Sequence, residues 1–438
     1  MSARPGVRSN RTAGADPGER SLVRRALGRQ FSSLAEYNYR LFFIGQLVSQ
    51  IGSWMQMVGQ GWLILQLTGS ATALGIATML QALPFTALSL VGGVLADRLP
   101  KRRALIVVQS FATLQALTLS ILVITDTVAV WHVYTLALLL GVTNAIERPT
   151  RQSFFSELVS RDNLVNAVAL NSSLLNVARI LGPALGGVVI AVVGVQGTFV
   201  FNTFSFLAVL GGYFLMRPAL FHPPRSRPAS AGLVQQIGEG LRYGWSTPSV
   251  RFTLILVAFI GMFGYNFNVI IPLVAQFVLQ AGPEKFGLLS SFLGAGALIS
   301  AFAVAGLGRG SPAMMLGAAA VFCVALYSLA FSSWYLVSGA LLLLLGLSGA
   351  ALMTTANTTL QMGAPDEMRG RIISIFILLQ AGSTPVGGFL TGYLSSHAGV
   401  PAALAIQASL CVLGVGIAGF QFAVLRRRPA RGGVSLAN

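Results

Sequence analysis

The chain has 438 residues, of which 54% are hydrophobic and only 9% are charged, and its net charge is +17 at pH 7. Soluble domains carry about 25% charged residues, so this composition excludes an ordinary soluble protein and indicates a membrane protein with many spans. The positive charge alone would also suit a nucleic-acid binder, but its distribution along the chain argues against nucleic acid as a partner. We therefore expect an all-α protein embedded in a lipid bilayer.

The N-terminal segment contains arginine, serine and glycine without an apolar core, so it does not resemble a cleavable signal peptide. We expect residues 1–40 to form a largely disordered cytoplasmic arm. Leu34, Tyr37 and Tyr39 near its end predict a short interfacial helix that leads into the first span.

A helix needs ~20 mostly apolar residues to cross a bilayer, and twelve such segments follow in chain order. They predict two six-helix bundles, residues 41–217 and 252–425, and a cytoplasmic tail at 426–438. The predicted spans are 41–67, 73–95, 104–124, 129–146, 168–193, 197–216, 252–280, 286–307, 314–331, 335–360, 372–395 and 401–425.

Residues 218–251 separate the two predicted bundles. The front of this segment is rich in proline and predicts a flexible linker. Its back part places Leu233, Val234, Ile237 and Leu241 on one helical face. We therefore expect an amphipathic helix on the cytoplasmic membrane surface.

The two halves repeat each other weakly. The fifth span contains Gly182-Pro183-Ala184-Leu185-Gly186-Gly187, and the eleventh contains Thr384-Pro385-Val386-Gly387-Gly388. Similarly, Gly69 to Gly75 after the first span corresponds to Gly282 to Gly287 after the seventh. Two six-span halves related by an axis along the membrane normal are a transporter architecture, in which substrate binds between the halves.

The basic residues define a topology. The loops predicted on one side carry one cation, Lys285, and Arg179 lies within a span, whereas every other lysine and arginine falls on the opposite side. The positive-inside rule then places both termini in the cytoplasm. This pattern favours a multi-pass membrane protein with both termini in the cytoplasm.

A short charged hinge joins the second and third spans and contains Gly93, Asp97, Arg98, Lys101 and Arg102. It resembles motif A of the major facilitator superfamily. The resemblance extends over nearly the whole chain and includes a weaker echo after the eighth span, at residues 306–309, which lacks the acid. Two further blocks, residues 38–46 and 147–187, are similar to the enterobactin-exporter and macrolide-efflux type of drug–proton antiporter.

The resemblance implies a fold of twelve transmembrane helices and a gating role for the hinge. We expect Asp97 to meet the start of the eleventh helix, near Arg369 and Arg371, and to latch the cytoplasmic gate when the protein faces outward. A carboxylate at a helix start is stabilised by about 0.3–1 kcal/mol. The alternative is that Asp97 and the cations serve only as topology signals.

The fifth span also carries a motif. Gly182, Pro183, Gly186 and Gly187 match the tail of motif C, which the superfamily associates with exporters that exchange substrate for protons. Alanines replace two upstream glycines of the full pattern, which weakens this inference. The alternative is a generic packing face with a proline kink.

Arg179 lies near the middle of the fifth span, where a cation costs roughly 2.5–3.5 kcal/mol on insertion scales. It should therefore face a cavity or a partner. Two roles are open: binding of an anionic substrate group, or an ion pair that changes with the transport state, with Glu147 the nearest acid by topology. No acid lies deep in any predicted span, so proton coupling falls to Glu147 or Asp97 by elimination.

Amides and hydroxyls within the spans suggest a central cavity. In the first span, four polar residues lie near one helical stripe, which either lines the cavity or forms hydrogen bonds between helices. Trp54, Phe263 and Phe267 would supply apolar walls. The polar candidates are Gln46, Gln50, Ser53 and Gln60 in the first span, and Asn202, Asn266, Asn268, Asn357, Gln361 and Gln380 in later spans.

The sequence has no Walker lysine motif, metal-ligand cluster or nucleophile–base pair, so we predict no enzyme, no cofactor and no metal site. The leading hypothesis is a monomeric exporter that moves a drug-like or siderophore-like small molecule by alternating access in exchange for protons. One alternative is an importer or metabolite transporter with the same fold. The other is a non-transporting membrane receptor or scaffold.

Overall fold

The computed structural model describes residues 31–222, 233–307 and 311–427. The predicted arm before residue 31, the proline-rich part of the linker, the end of the hinge echo with Arg309, and the tail from residue 428 lie outside the described residues. The described segments form two bundles of long helices.

The first half contains six long helices, each of which overlaps a predicted span. They are α1 (Tyr37–Thr68), α2 (Ala71–Arg98), α3 (Lys101–Ile124), α4 (Val130–Phe154), α5 (Leu164–Val193) and α6 (Gln196–Leu215).

A linker helix, Leu233–Ser246, precedes the second half. The second half then contains α7 (Pro248–Val278), α8 (Pro283–Leu307), α9 (Pro312–Ala330), α10 (Tyr335–Gly363), α11 (Asp366–Ala398) and α12 (Val400–Arg427). Helix α7 is irregular, because π-helical turns interrupt it at Ile260–Gly264 and Val274–Val278.

The predicted fold class, an all-α membrane protein, is confirmed. Among the described residues, eleven helices are long and apolar enough to cross a membrane. Helix α1 has 32 residues and therefore exceeds ~30 Å at 1.5 Å per residue, but its glutamines lower its hydropathy. It completes the predicted set of twelve.

Helix α1 is held in the first bundle between α5 and α6. Its buried Gln56 accepts a hydrogen bond from Asn202 of α6 at 2.6 Å and donates one to Gln115 of α3 at 3.3 Å. Lipid cannot satisfy such groups, so the polar side chains bond to one another and tie three helices together.

We call the end of the bundles that holds the α1–α2 and α11–α12 connections the outer end, and the opposite end, with the linker helix, the linker end. The two halves contact each other chiefly through two helix pairs, α2 with α11 and α5 with α8. In each pair the contact includes the outer half of the helices.

The α2–α11 contact begins at the outer end. Thr72 donates hydrogen bonds to Ser396 Oγ from its backbone nitrogen (2.9 Å) and its hydroxyl (2.8 Å). One turn deeper, a Cβ added to Gly75 would lie 2.9 Å from the carbonyl oxygen of Gly388. The contact extends to Thr86, whose hydroxyl donates to the carbonyl of Ala381 at 3.1 Å.

The α5–α8 contact has the same character. A Cβ added to Gly187 would lie 2.6 Å from the carbonyl oxygen of Pro283 and 2.9 Å from the Cα of Gly287. Deeper in the interface, Ser291 Oγ donates to the carbonyl of Ile180 at 2.7 Å. Gly75 and Gly287 occupy matching places in the two repeats, and each packs against a glycine of the other half.

Candidate functional site

The site between the two halves centres on Arg179. This residue lies fifteen positions after the first residue of α5, roughly 22 Å along the helix at 1.5 Å per residue. Its guanidinium lies over the ring of Trp54 on α1, with 5.8 Å from Cζ to the ring centroid. Across the interface, Gly294 of α8 packs on the backbone of Arg179, where an added Cβ would lie 3.0 Å from the carbonyl oxygen, and the charge of Arg179 acts on the hydroxyl of Tyr265 of α7.

The aromatic neighbours of Arg179 are held rigidly. Trp54 packs beneath Gly182, where any larger residue would collide with the tryptophan Cβ. Tyr265 stacks on Phe322 at a centroid distance of 6.4 Å and meets Phe267 edge-on at 5.2 Å. Trp54 of the first half and Tyr265 of the second half are therefore both held in place by their packing.

The contacts of Arg179 do not neutralise its charge. Within residues 31–222, 233–307 and 311–427 it forms no salt bridge and no hydrogen bond from its guanidinium, and it is half-buried. A cation–π contact contributes about 0.5–2 kcal/mol, less than the roughly 2.5–3.5 kcal/mol cost of the cation in a bilayer centre. The site therefore favours water or an anion beside the guanidinium.

In the structure Glu147 pairs with Arg151, and not with Arg179 as considered from the sequence. Its carboxylate accepts a hydrogen bond from Arg151 Nε at 2.7 Å, one turn further along α4. The pair is only about 15% exposed and its charges act on the buried hydroxyl of Tyr213. The structure therefore does not bring Glu147 and Arg179 together as an ion pair.

Two cations of the hinge are anchored within the first half. Lys101 Nζ pairs with Glu157 Oε1 at 2.5 Å, and Arg102 donates to the carbonyl oxygens of Tyr213 (2.7 Å) and Phe214 (3.2 Å). These carbonyls belong to the last turn of α6, where the helix dipole favours a cation. The hinge thus fixes the start of α3 to the end of α6.

The other residues of the predicted gate lie at the linker end. Arg369 Nε donates to the carbonyl of Gln361 at 2.9 Å, and Arg371 forms a salt bridge with Glu239 of the linker helix. Arg98 is exposed in the last turn of α2. The side chain of Asp97 lies outside the described residues, so the latch stays a prediction.

The two adjacent glycines of the hinge, Gly92 and Gly93, differ in their surroundings. A Cβ on Gly93 would meet nothing within 4 Å, whereas one on Gly92 would collide with the backbone of Ala145 and lie 3.3 Å from the Cα of Ile146. Gly92 therefore lets α2 pack on α4, and Gly93 faces open space.

The glycines of the fifth span divide between two neighbours. Gly182 and Gly186 pack against α1 of their own half, where a Cβ on Gly186 would lie 3.1 Å from the Cα of Met55. Gly187, in contrast, packs against Pro283 and Gly287 of the other half. Pro183 lies inside α5, and its carbonyl faces Gly287.

Several predicted cavity residues are part of the packed interior. Gln46 is buried and donates to the Tyr213 hydroxyl at 3.2 Å, Gln60 is buried, and Asn202 is buried and bonded to Gln56. These three positions correct the cavity prediction, because their amides bond or pack between helices. Gln50 and Ser53, in contrast, are half-buried like their neighbour Trp54.

The candidates of the second half also differ in burial. Asn266 is buried and donates to the carbonyl of Met262 at 2.7 Å, so it belongs to the α7–α11 contact, where its side chain faces Gly387. Gln361 donates to Asn357 at 2.9 Å on the same helix. The exposed candidates are Asn268, Gln361 and Gln380.

Tyr265 was missed from the sequence. The signal for it was the run Tyr265-Asn266-Phe267-Asn268, which interrupts the apolar sequence of α7 directly after a π-helical turn. Such turns are frequent at functional sites. For metals, the described part of the chain has no group of three or more His, Cys, Asp or Glu side chains that could hold an ion.

The fold and the site between two similar halves define a transporter of the major facilitator type, and the predicted resemblance is confirmed. The chain belongs to the transmembrane secretion effector family, whose sequence profile matches residues 29–430. As a member of a transporter family, it is a multi-pass membrane protein with a small-molecule substrate and is not an enzyme.

Similar proteins cover most of the chain. A staphyloferrin A transporter of Staphylococcus aureus is 25% identical over 85% of this chain and 94% of its own length. The multidrug efflux pump Tap of Mycolicibacterium fortuitum is 26% identical over 86% and 93%, and macrolide efflux protein A of Streptococcus pyogenes is 22% identical over 83% and 91%.

Solved structures agree on the fold. A bacterial homologue of the human lysosomal transporter Spinster, in an inward-facing and unoccupied conformation, superposes with a TM-score of 0.71 at 12% identity, covering 90% of this chain and 98% of that one. The nucleoside transporter NupG superposes with a TM-score of 0.67 at 10% identity, covering 88% and 99%.

Proposed function

We propose that this protein exports an amphiphilic, drug-like or siderophore-like small molecule across the bacterial inner membrane in exchange for protons. It works as a monomer with both termini in the cytoplasm. The observation that carries the proposal is the placement of Arg179 between the two halves, inward of a tight backbone seam at the outer end. With the outer end closed, substrate would enter from the cytoplasm. It would leave after the seam at the outer end opens.

The relatives support the direction of transport. Of the three relatives described above, two are named as efflux proteins, and one is named as a staphyloferrin A transporter. The residues between the halves include an unpaired cation, aromatic rings and half-buried amides, which suit a large molecule with both polar and apolar parts.

The transport experiment uses purified protein in proteoliposomes and cells that carry the gene. Export predicts that expression lowers the accumulation of a substrate found by screening antibiotics and siderophores, and that a protonophore abolishes the effect. Accumulation that rises with expression would instead identify an importer. Binding without flux in proteoliposomes would identify a receptor.

For proton coupling we propose Glu147, because it is a nearly buried carboxylate held by one arginine on α4. Protonation would break its bond to Arg151 and change the charge beside Tyr213. Glu147→Gln should abolish proton-driven flux while leaving counterflow exchange intact. Asp126→Asn, in the α3–α4 loop, is the matched control, and undiminished proton-driven flux in the Glu147 variant would contradict the assignment.

For the gate we propose that Asp97 engages the start of α11 when the linker end closes. Helix α11 begins at Asp366, so its first turn offers unpaired N–H groups to a carboxylate. Asp97→Asn should increase the labelling of cysteines introduced at the linker end. Labelling equal to that of the parent protein would contradict the latch.

A further inference from the structure

We infer that Arg179 forms the anion subsite of the transport pathway, so that the preferred substrates are carboxylates or other anions attached to a flat ring. This inference rests on the proposed transport function, and it specifies the class of substrate. It selects between the two roles that the sequence left open for Arg179.

The first argument is the missing counter-charge. Glu147, the acid that could have paired with Arg179, is bound to Arg151 at 2.7 Å. Within the described part of the chain, the guanidinium of Arg179 makes no ion pair and no hydrogen bond, and it lies over the ring of Trp54 with Cζ 5.8 Å from the ring centroid. An arginine presents a fork of N–H donors that fits a carboxylate with two hydrogen bonds. These donors are available for a ligand.

The second argument is the position of the donors. Arg179 and Trp54 belong to the first half, and Gly294 of the second half packs on the backbone of Arg179, where an added Cβ would lie 3.0 Å from the carbonyl oxygen. An anion beside Arg179 would therefore lie at the seam between the halves, where it can contact both. An aromatic substrate would place its ring near Trp54 while its anionic group meets the guanidinium.

The third argument is the charge around the site. Tyr265 is neutral, and its neighbours Phe267 and Phe322 are apolar. The predicted spans contain no deep acid in the sequence, so a cationic substrate would meet one positive charge without a compensating carboxylate. Like charges in a site of low dielectric repel strongly, so the site disfavours cations.

The test compares two dyes that share a xanthene ring, fluorescein as a dianion and a rhodamine ester as a cation. Binding to purified protein in nanodiscs is measured by fluorescence anisotropy. We expect the wild-type protein to bind fluorescein more tightly than the rhodamine ester. Arg179→Gln should weaken fluorescein binding by about tenfold or more, because a charged hydrogen-bond pair is lost, and should leave or improve rhodamine binding.

Two further variants test whether the charge and shape of the Arg179 side chain determine the preference for fluorescein. Arg179→Lys keeps the charge but loses the fork, so it should retain part of the preference for fluorescein. Lys285→Gln removes a cation from the outer end and should change neither affinity. A wild-type protein that binds the rhodamine ester as tightly as fluorescein overturns the inference without any variant, and so does an Arg179→Gln protein with unchanged fluorescein affinity.

Flux is measured separately in proteoliposomes loaded with fluorescein. Selective, Arg179-dependent binding without flux would contradict the proposed function but support the anion subsite. Flux of the rhodamine ester that exceeds flux of fluorescein would support transport and contradict the anion subsite.

Discussion

Gly187 of α5 and Gly287 of α8 pack so closely that a Cβ on Gly187 would lie 2.9 Å from the Cα of Gly287 and 2.6 Å from the carbonyl oxygen of Pro283. Both distances are below those at which real Cβ atoms are found. The atoms in the way are backbone, so no rotamer change can relieve the collision. The seam at the outer end therefore requires glycine at this position.

The first prediction follows from this contact. Gly187→Val should keep the outer end from closing and should reduce transport about tenfold or more, because overpacking of this kind costs roughly 1–3 kcal/mol. The distance between spin labels on the outer ends of α5 and α8 should increase. Gly211→Val on α6 is the matched control, because a Cβ there meets nothing within 4 Å. Equal effects of the two substitutions would contradict the prediction.

The second prediction concerns the bonds between Thr72 and Ser396. Each hydrogen bond contributes about 0.5–1.5 kcal/mol, and Ser396→Ala removes both, so it should decrease the ratio of the outer-closed to the outer-open state by about fivefold or more. Thr72→Val should act in the same direction, and the double variant should add little, because both substitutions remove the same contact. Labelling of an outer-end cysteine measures the population, and additive effects would show that the two residues act separately.

The third prediction distinguishes the adjacent glycines of the hinge. Gly92→Ala should lower the melting temperature, since its Cβ would collide with the backbone of Ala145 and cost about 1–3 kcal/mol. Gly93→Ala, with open space around its Cβ, should be neutral or stabilise α2 by about 0.5–1 kcal/mol. Thermal unfolding in detergent compares the two proteins. The reverse order of stability would contradict the packing described for α2 and α4.

The fourth prediction is a pH dependence of stability that arises from Glu36. Burial alone would raise the pKa of this carboxyl, but hydrogen bonds from Asn163 and from the backbone and side chain of Ser160 outweigh burial, and the pKa lies below the ordinary value of 4.5. Because the pKa is lower in the folded protein, the carboxylate stabilises the fold above about pH 4.5. That stability is lost as the pH falls through the folded pKa.

Glu36→Gln should therefore be less stable than the wild-type protein at neutral pH, and the difference in melting temperature should shrink as the solution is acidified below pH 4.5. Glu284→Gln, at the start of α8, is the control for a general effect of removing one acid. A difference that stays constant with pH would show that the hydrogen bonds do not depend on the carboxylate charge.

The spans could be predicted from the sequence because their apolar length is a direct requirement of the bilayer. The repeat that relates Gly75 to Gly287 has a structural counterpart, because each of these glycines packs against a glycine of the other half. The burial of individual polar residues could not be predicted from the sequence. Gln46 and Gln50 lie one turn apart on the predicted stripe, yet the first is buried against Tyr213 and the second is half-buried.

The irregular geometry of α7 explains why Tyr265 was not predicted from the sequence. Its π-helical turn at Ile260–Gly264 rotates the residues that follow relative to a regular helix. Tyr265 lies directly after this turn, so an ideal helical wheel could not predict the direction in which it points. The partner of Glu147 was missed for a simpler reason: Arg151 is one turn away on α4, whereas topology had suggested a distant cation.

The outer seam is built largely from backbone atoms, namely glycine Cα atoms and the carbonyl oxygens of Pro283 and Gly388. The guanidinium of Arg179 and the ring of Trp54, in contrast, meet as side chains. Substitutions that change these side chains leave the backbone contacts of the outer seam intact. A closure made of main-chain contacts therefore allows substrate preference to change during evolution, while the contacts that open and close the outer end are kept.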